Sequence, residues 1–255
     1  MRDFSPKAEF ADLSLAQPVF NARLPVLRGP SYPILTLDDV RKTSAEAKIL
    51  FDKEDAAGDD RGDSGTYTYP SSVNFKPGIL DIVHATVSYD SSNAYFSLVF
   101  RDLANPGWHP EYGFQLTFAV IAVHRGNSGA VSVGANSHFT VKDQYRFDRL
   151  ITVGGGIRIA DEQGNVLCEY LPRSGDERNP IGNVKRKAIE FSLPLKYLEK
   201  PTPEWKMTIL IGAQDDHGGA GIGEFRSVER IGSEWIGGGK IDPSNSNVFD
   251  VLILE

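Results

Sequence analysis

The chain has 255 residues, of which 40% are apolar and 24% charged, with a formal net charge of −7. That length suits one large domain, or a domain with an appendage, and buries a core without covalent staples. The negative balance argues against nucleic acid, since phosphate binding needs a basic footprint, and suits metal cations or neutral partners such as sugars.

Cys168 is the single cysteine, so no intramolecular disulfide forms, which does not exclude an extracellular home. No run approaches the roughly 20 apolar residues of a membrane-spanning helix. The first residues, MRDFSPKAEFADLSLAQPVF, lack the apolar core of a signal peptide. The expectation is therefore a cytoplasmic protein, a mature chain or an excised piece.

Residues 1–35 hold Pro6, Pro18, Pro25, Pro30 and Pro33. Proline removes donors and restricts its predecessor, so this segment reads as an extended arm with little self-burial. TLDDVRKTSAEAK, residues 36–48, reads as a short helix capped by Thr36, with Asp38 and Asp39 in its first turn.

DKEDAAGDDRGDSG follows. Asp52, Glu54, Asp55, Asp59, Asp60 and Asp63 are offset locally only by Lys53 and Arg61. Crowded carboxylates repel unless a cation, protons or solvent relieve them. Hard divalent cations take several oxygen ligands, and Gly58 and Gly62 let the chain turn those oxygens inward. The spacing does not fit an EF-hand, so a calcium site here is of the irregular loop type. Asp52, Asp55, Asp59 and Asp60 are the expected ligands, with Asp63 and Asp81 as second choices. The alternative is a solvated acidic loop. In the next run, Thr66 to Tyr69, Tyr67 and Tyr69 share a face, either as core aromatics or as a sugar-stacking platform.

From residue 80 the texture is β. LDIVHATVSYD and NAYFSLVFR are rich in β-branched and aromatic residues, and Phe96, Leu98 and Phe100 alternate with Tyr95, Ser97, Val99 and Arg101 at the period of a strand with one face buried. Ser91-Ser92 between them suits a tight hairpin. NPGWHPEYG reads as a surface loop that offers Trp108 and Tyr112 as exposed stacking platforms. FQLTFAVIAVH is a longer apolar run, expected as a central strand. Residues 125–150 read as an insertion. GIRIADEQGNVLCEY reads as strand, turn, strand, with Cys168 mid-strand in the core. KAIEFSLPL, WKMTILIGAQD and NVFDVLILE supply further strands, and a helical turn is expected after Pro194.

The segment 212–239 is glycine-rich and carries Asp215, Asp216, His217, Glu224 and Arg226. It lacks a P-loop, and VGGGIRI at 153–159 fails the dinucleotide fingerprint because no helix follows. The plain reading is a glycine-rich loop with capping carboxylates, and Trp235 is expected to pack. No hydrolase or transferase motif emerges, and no repeat of 20 to 50 residues is present. Many short strands with glycine turns indicate an all-β protein, an antiparallel β-sandwich with a Pro-rich N-terminal arm and short helix.

The string GDDRGDSGTYTYPSSVNFKPGILDI resembles the C-terminal module of glucodextranase and related amylopullulanase-type and surface-layer-associated proteins. The matching positions are Asp55, Gly58, Asp59, Asp60 and Gly62, then Gly65 to Pro70, then Phe75, Pro77, Gly78 and Asp81. AIEFSLPLKYL, IGAQD and FRSVERIGSEWIGGG form a second block, and Asn247, Val248 and Asp250 match the end. Residues 125–185 have drifted from the pattern, and the first 45 lie outside it.

The resemblance implies a non-catalytic, calcium-binding β-sandwich like a family-nine carbohydrate-binding module over residues 49–255, after an arm and short helix over 1–48. It implies an extracellular or cell-surface protein that binds polysaccharide or anchors to the cell envelope. Two alternatives remain. One is a structural subunit of a surface layer or filament that self-associates through residues 1–35, the arm adding to a neighbour's sheet. The other is a glycoside hydrolase with paired carboxylates.

Overall fold

The computed structural model describes residues 30–126, 129–219 and 221–255. The reading of an extended arm therefore falls largely, at 1–29, outside the described residues. Tyr32–Glu255 forms one compact unit. Within it Leu35 N–H donates to Glu169 O at 2.7 Å and Glu169 N–H to Pro33 O at 3.1 Å. The last residues of the arm thus add to a sheet edge of their own chain.

The expected helix over 36–48 is a single turn, α1 (Leu37–Val40). Thr36 Oγ1 accepts from Asp39 N–H at 3.3 Å while Asp39 accepts from Thr36 N–H at 2.9 Å, a reciprocal capping box. Beyond it Lys42 N–H is taken by the Ser192 hydroxyl at 3.0 Å, and the chain is extended again at β1 (Lys48–Glu54). The cap signal was genuine; the turns meant to follow it lose to pairing with the sheet.

Two antiparallel sheets pack face to face. The first orders β1, β2 (Ile82–Tyr89), β3 (Asn93–Phe100), β11 (Ala188–Pro194) and β10 (Gly182–Asn183). The second orders β13 (Glu224–Phe225), β12 (Lys206–Asp215), β4 (Thr117–His124), β7 (Arg149–Gly154), β8 (Gly156–Asp161) and β9 (Val166–Tyr170), with β14 (Asp250–Leu254) also paired to β12. Alternation buries Phe96, Leu98 and Phe100 from the first sheet against Ile121, Ile151, Met207 and Ile209 from the second. Cys168 is in this core, where burial pushes its thiol up to about 12, as a packing residue rather than a nucleophile.

The unbroken apolar run at β4 has a second cause. Its other face, with Phe118, Val120 and Ala122, is also covered, by Val133, Val141, Tyr145 and Phe147 from the 125–150 segment. That insertion carries β5 (Ser132–Val133) and β6 (Phe139–Thr140) and acts as a lid over the second sheet. β4 lies between β12 and β7, as a central strand should.

The β2–β3 hairpin closes on Asp90, whose Oδ1 accepts Ser92 N–H at 2.7 Å and Asn93 N–H at 2.8 Å. The turn expected after Pro194 is α2 (Leu195–Leu198). Among the described residues no helix is long and apolar enough to cross a membrane.

Candidate functional site

One end of the sandwich gathers the ends of β1 and β12 and the starts of β2, β4 and β14. Two features sit there, an acidic nest and an aromatic cleft.

The nest is built from three segments. Asp55 follows β1, its N–H held by Val83 O at 2.9 Å. Asp59 lies in the glycine loop, and Asp250 opens β14. One carboxylate oxygen from each lies within 4.8 Å of the others. Asp250 is 5% exposed; its Oδ2 accepts Ile82 N–H at 2.9 Å and its Oδ1 accepts Val251 N–H at 2.7 Å. Burial, then the charges of Asp59 and Asp55, push its carboxyl up to about 7 despite those two donors. Burial also raises Asp55.

Asp81, fully buried, flanks the nest. Its Oδ2 accepts Gly58 N–H at 2.8 Å and pairs with Arg101 Nε at 3.1 Å. Burial outweighs that pairing and raises Asp81 to about 6. Asp81 Oδ1 and Asp55 Oδ2 are buried without a hydrogen-bond partner among the described residues, an expensive condition for anionic oxygens.

The other expected ligands have different partners. Asp60 is buried and accepts the Tyr69 hydroxyl. Asp52, on β1, accepts from Thr86 Oγ1 at 3.1 Å and lies 2.7 Å from His84 Nε2. Asp63 accepts from Ser246 N–H at 2.5 Å and Ser246 Oγ at 3.0 Å, pinning the loop to the segment before β14. The structure thus brings Asp55 and Asp59 together, keeps Asp60 and Asp81 beside them, and leaves Asp52 and Asp63 apart. Asp250 was not among the expected ligands. Its signal was a carboxylate at a buried position of an alternating strand, in register with Leu252 and Leu254.

Gly62 has φ +65°, and a Cβ there would enter the Tyr67 ring. Tyr67 and Tyr69 are core aromatics, both edge-on to Phe249 at 5.6 and 5.5 Å. The Tyr67 hydroxyl donates to Ser246 O at 2.7 Å, and burial raises the Tyr69 phenol well above its usual range. A stacking platform is excluded for both.

The cleft, of about 500 Å³, lies between the 105–116 loop, the end of β12 and the 226–235 segment. Trp108 is 51% exposed. Its ring is 6.0 Å from that of Trp235, tilted by 55°, and Trp235 is held from behind by Phe75 at 6.1 Å. Trp235 therefore packs, as expected, and also walls the cleft.

Tyr112, expected to be exposed, is 5% exposed. His109 stacks on it at 4.8 Å, and its hydroxyl accepts Gly221 N–H at 3.4 Å. The local Pro/Gly composition could not show that His109 and Gly221 pack on this ring, leaving Tyr112 on the cleft floor rather than as a free platform.

Polar groups converge from the end of β12. Asp215 Oδ1 accepts His217 N–H and Asp216 Oδ1 accepts Gly218 N–H, both at 2.9 Å. These are the capping carboxylates expected of the glycine-rich loop, here also lining a cleft. Arg226 donates from Nε to Gln214 O at 2.9 Å, places Nη2 3.4 Å from Asp215 Oδ1, and sits 5.9 Å from the Trp235 ring centre. Leu116, which lines the cleft, is held at φ +73°, a conformation costly for a leucine and concentrated at functional sites.

The two features share a frame. Thr68 and Gly238 exchange two backbone hydrogen bonds of 2.9 Å, and Ser71 and Ser72 N–H donate to Ser233 and Glu234 O. The segment leaving the acidic loop is thus paired to the segment that carries Trp235.

No curated protein matches the chain. A family model does, over residues 50–255, and the chain belongs to that family, the SLH-like C-terminal binding module of glucodextranase.

Proposed function

We propose that the chain is a non-catalytic, calcium-stabilised carbohydrate-binding module that holds its parent protein to a polysaccharide or to the cell envelope. The observation that carries this reading is the cleft. An exposed indole, a second indole fixed from behind and a few convergent polar groups form a concave site of about 500 Å³. Sugars bind by laying apolar ring faces on aromatics and bonding their hydroxyls at the edge. Hydrolysis would need two carboxylates spaced across a glycosidic bond, in place of the backbone-capping geometry of Asp215 and Asp216.

Calcium is assigned to the nest. Three carboxylates converge, and two buried carboxylate oxygens in and beside the nest have no other partner among the described residues. The donors are all oxygen, which suits a hard cation. Asp55, Asp59 and Asp250 would hold the ion, with Asp81 and Asp60 completing the acidic surroundings. A cation there neutralises charge that otherwise repels, and it fixes the loop whose continuation pairs with the Trp235 segment.

Affinity electrophoresis through gels containing α-glucans, β-glucans, xylans or isolated envelope polymer tests the reading. Retardation by at least one polymer, lost in Trp108→Ala with the fold intact, is the expected result. Migration indifferent to every polymer contradicts it.

A further inference from the structure

We infer that the cleft takes a neutral sugar and rejects carboxylated or phosphorylated ones, so that its target is an uncharged glycan rather than an acidic envelope polymer. This rests on the carbohydrate reading above and adds the ligand's charge.

The lining carries two permanent anions, Asp215 and Asp216, against one permanent cation, Arg226. Arg226 is largely spent. Its Nε is bonded to a backbone carbonyl, its Nη2 faces Asp215, and only 15% of its side chain is exposed. Carboxylates and phosphates are recognised by a free guanidinium fork or by converging N–H donors. Here the fork is turned to the protein's own groups. The N–H groups of His217 and Gly218 already point at Asp215 and Asp216.

Both flanks repeat this pattern. His109 Nδ1 lies 3.1 Å from Glu111 Oε1, and His217 Nε2 lies 3.4 Å from Glu224 Oε1. Each imidazole that could bring positive charge to the cleft is accompanied by a carboxylate. An anionic sugar would meet like charge at the β12 edge of the cleft, and a carboxylate beside each flanking imidazole.

A neutral sugar meets the opposite situation. The second oxygens of Asp215 and Asp216 accept no hydrogen bond from any described residue, and an ionised carboxylate is an acceptor only. Sugar hydroxyls are the donors that match them, while the indole faces take the C–H surface of the ring. Like-charge exclusion beside an aromatic binding face is a way to build specificity without tight binding.

The test is calorimetric titration of the full chain with matched pairs. Maltodextrin, cellodextrin and β-1,3-glucan oligosaccharides of equal length are each compared with their C6-oxidised uronate counterparts, in calcium, at low and moderate salt. The neutral member of the bound pair is expected to be at least about tenfold tighter, which is ~1.4 kcal/mol. The gap should shrink with salt, because screening weakens exclusion. Asp216→Asn should narrow it by strengthening uronate binding.

A uronate bound as tightly as its neutral partner, or tighter, overturns the inference and leaves the carbohydrate reading standing. A gap unaffected by both salt and Asp216→Asn overturns the electrostatic cause and the inference with it. A panel in which neither member of any pair binds, together with migration indifferent to every polymer in the gel assay, overturns both readings.

Discussion

Asp250→Asn should have opposite effects with and without calcium. The side chain is buried and its carboxyl titrates at about 7, against an ordinary value of about 3.9 in the unfolded chain. Its folded value is raised, so the unfolded chain loses this proton first as pH increases. The cation-free fold therefore carries no penalty below about pH 4, loses stability as pH rises from there to about 7, and bears the full cost above. At 1.36 kcal/mol per pH unit that cost is about 4 kcal/mol at pH 8.

Asparagine keeps one oxygen to accept Ile82 N–H, but its amide nitrogen replaces the oxygen that accepts Val251 N–H, so that bond is lost. It cannot ionise. The relieved charge, less about 1 to 2 kcal/mol for the lost acceptor, should leave the variant more stable than the parent in chelator at pH 8 by about 2 to 3 kcal/mol, which for a domain of this size raises the melting temperature by roughly 4 to 12 °C. In calcium the parent gains about 2.7 kcal/mol at a hundredfold excess over its dissociation constant, and the variant, short of one charge, should gain little. Differential scanning fluorimetry of both proteins in chelator, calcium and magnesium reads all six states. A variant that melts lower than the parent in chelator, and still responds to calcium as fully, would refute the assignment of Asp250 to a cation site.

Other perturbations separate the parts. Trp108→Ala should abolish glycan retardation with a melting temperature within about a degree of the parent, because the side chain is exposed. Trp235→Ala should also lose binding but cost about 2 kcal/mol in urea unfolding, since Phe75 packs behind it. Gly62→Ala should destabilise by more than about 1 kcal/mol and weaken the calcium response, because a Cβ there strains a positive-φ turn and displaces Tyr67. The Asp90 carboxyl is held down at about 2, first by the Tyr95 hydroxyl and then by the N–H groups of Ser92 and Asn93. Its contribution is thus present above about pH 4 and lost as pH falls through about 2; NMR titration of Asp90 should give that low value, and one near 4 would show the turn bonds to be absent in solution.

Local pattern carried the strands. Period-two alternation reads correctly wherever one face of a strand is wet, as at β3, and an unbroken apolar run marks β4 because both of its faces are covered. The helix over 36–48 was over-read for a physical reason. A capping box stabilises only its own turn, and nothing in the sequence says that Ser192 will take the next N–H. The nest was half legible. Clustered charge pointed to Asp55 and Asp59, but proximity along the chain also nominated Asp52 and Asp63, which the fold turns toward Thr86 and Ser246. Asp250 comes from the far end of the chain, and only its apolar strand context marks it. In the cleft Trp108 was legible as an exposed aromatic. Its pairing with Trp235, and the burial of Tyr112 against His109 and Gly221, are tertiary facts with no local signature.

The central claim is that glycan enters between Trp108 and Trp235. The chain has three tryptophans, and the third, Trp205, is buried in the sandwich core, 3% exposed. The most direct measurement is therefore the indole N–H region of a ¹H–¹⁵N spectrum of the calcium-loaded protein, titrated with whichever neutral oligosaccharide it binds. The Trp108 and Trp235 signals, assigned by Trp→Phe variants, should shift together along one saturation curve while Trp205 stays in place. Saturable binding that leaves the Trp108 and Trp235 signals unmoved would place the glycan elsewhere and contradict the account.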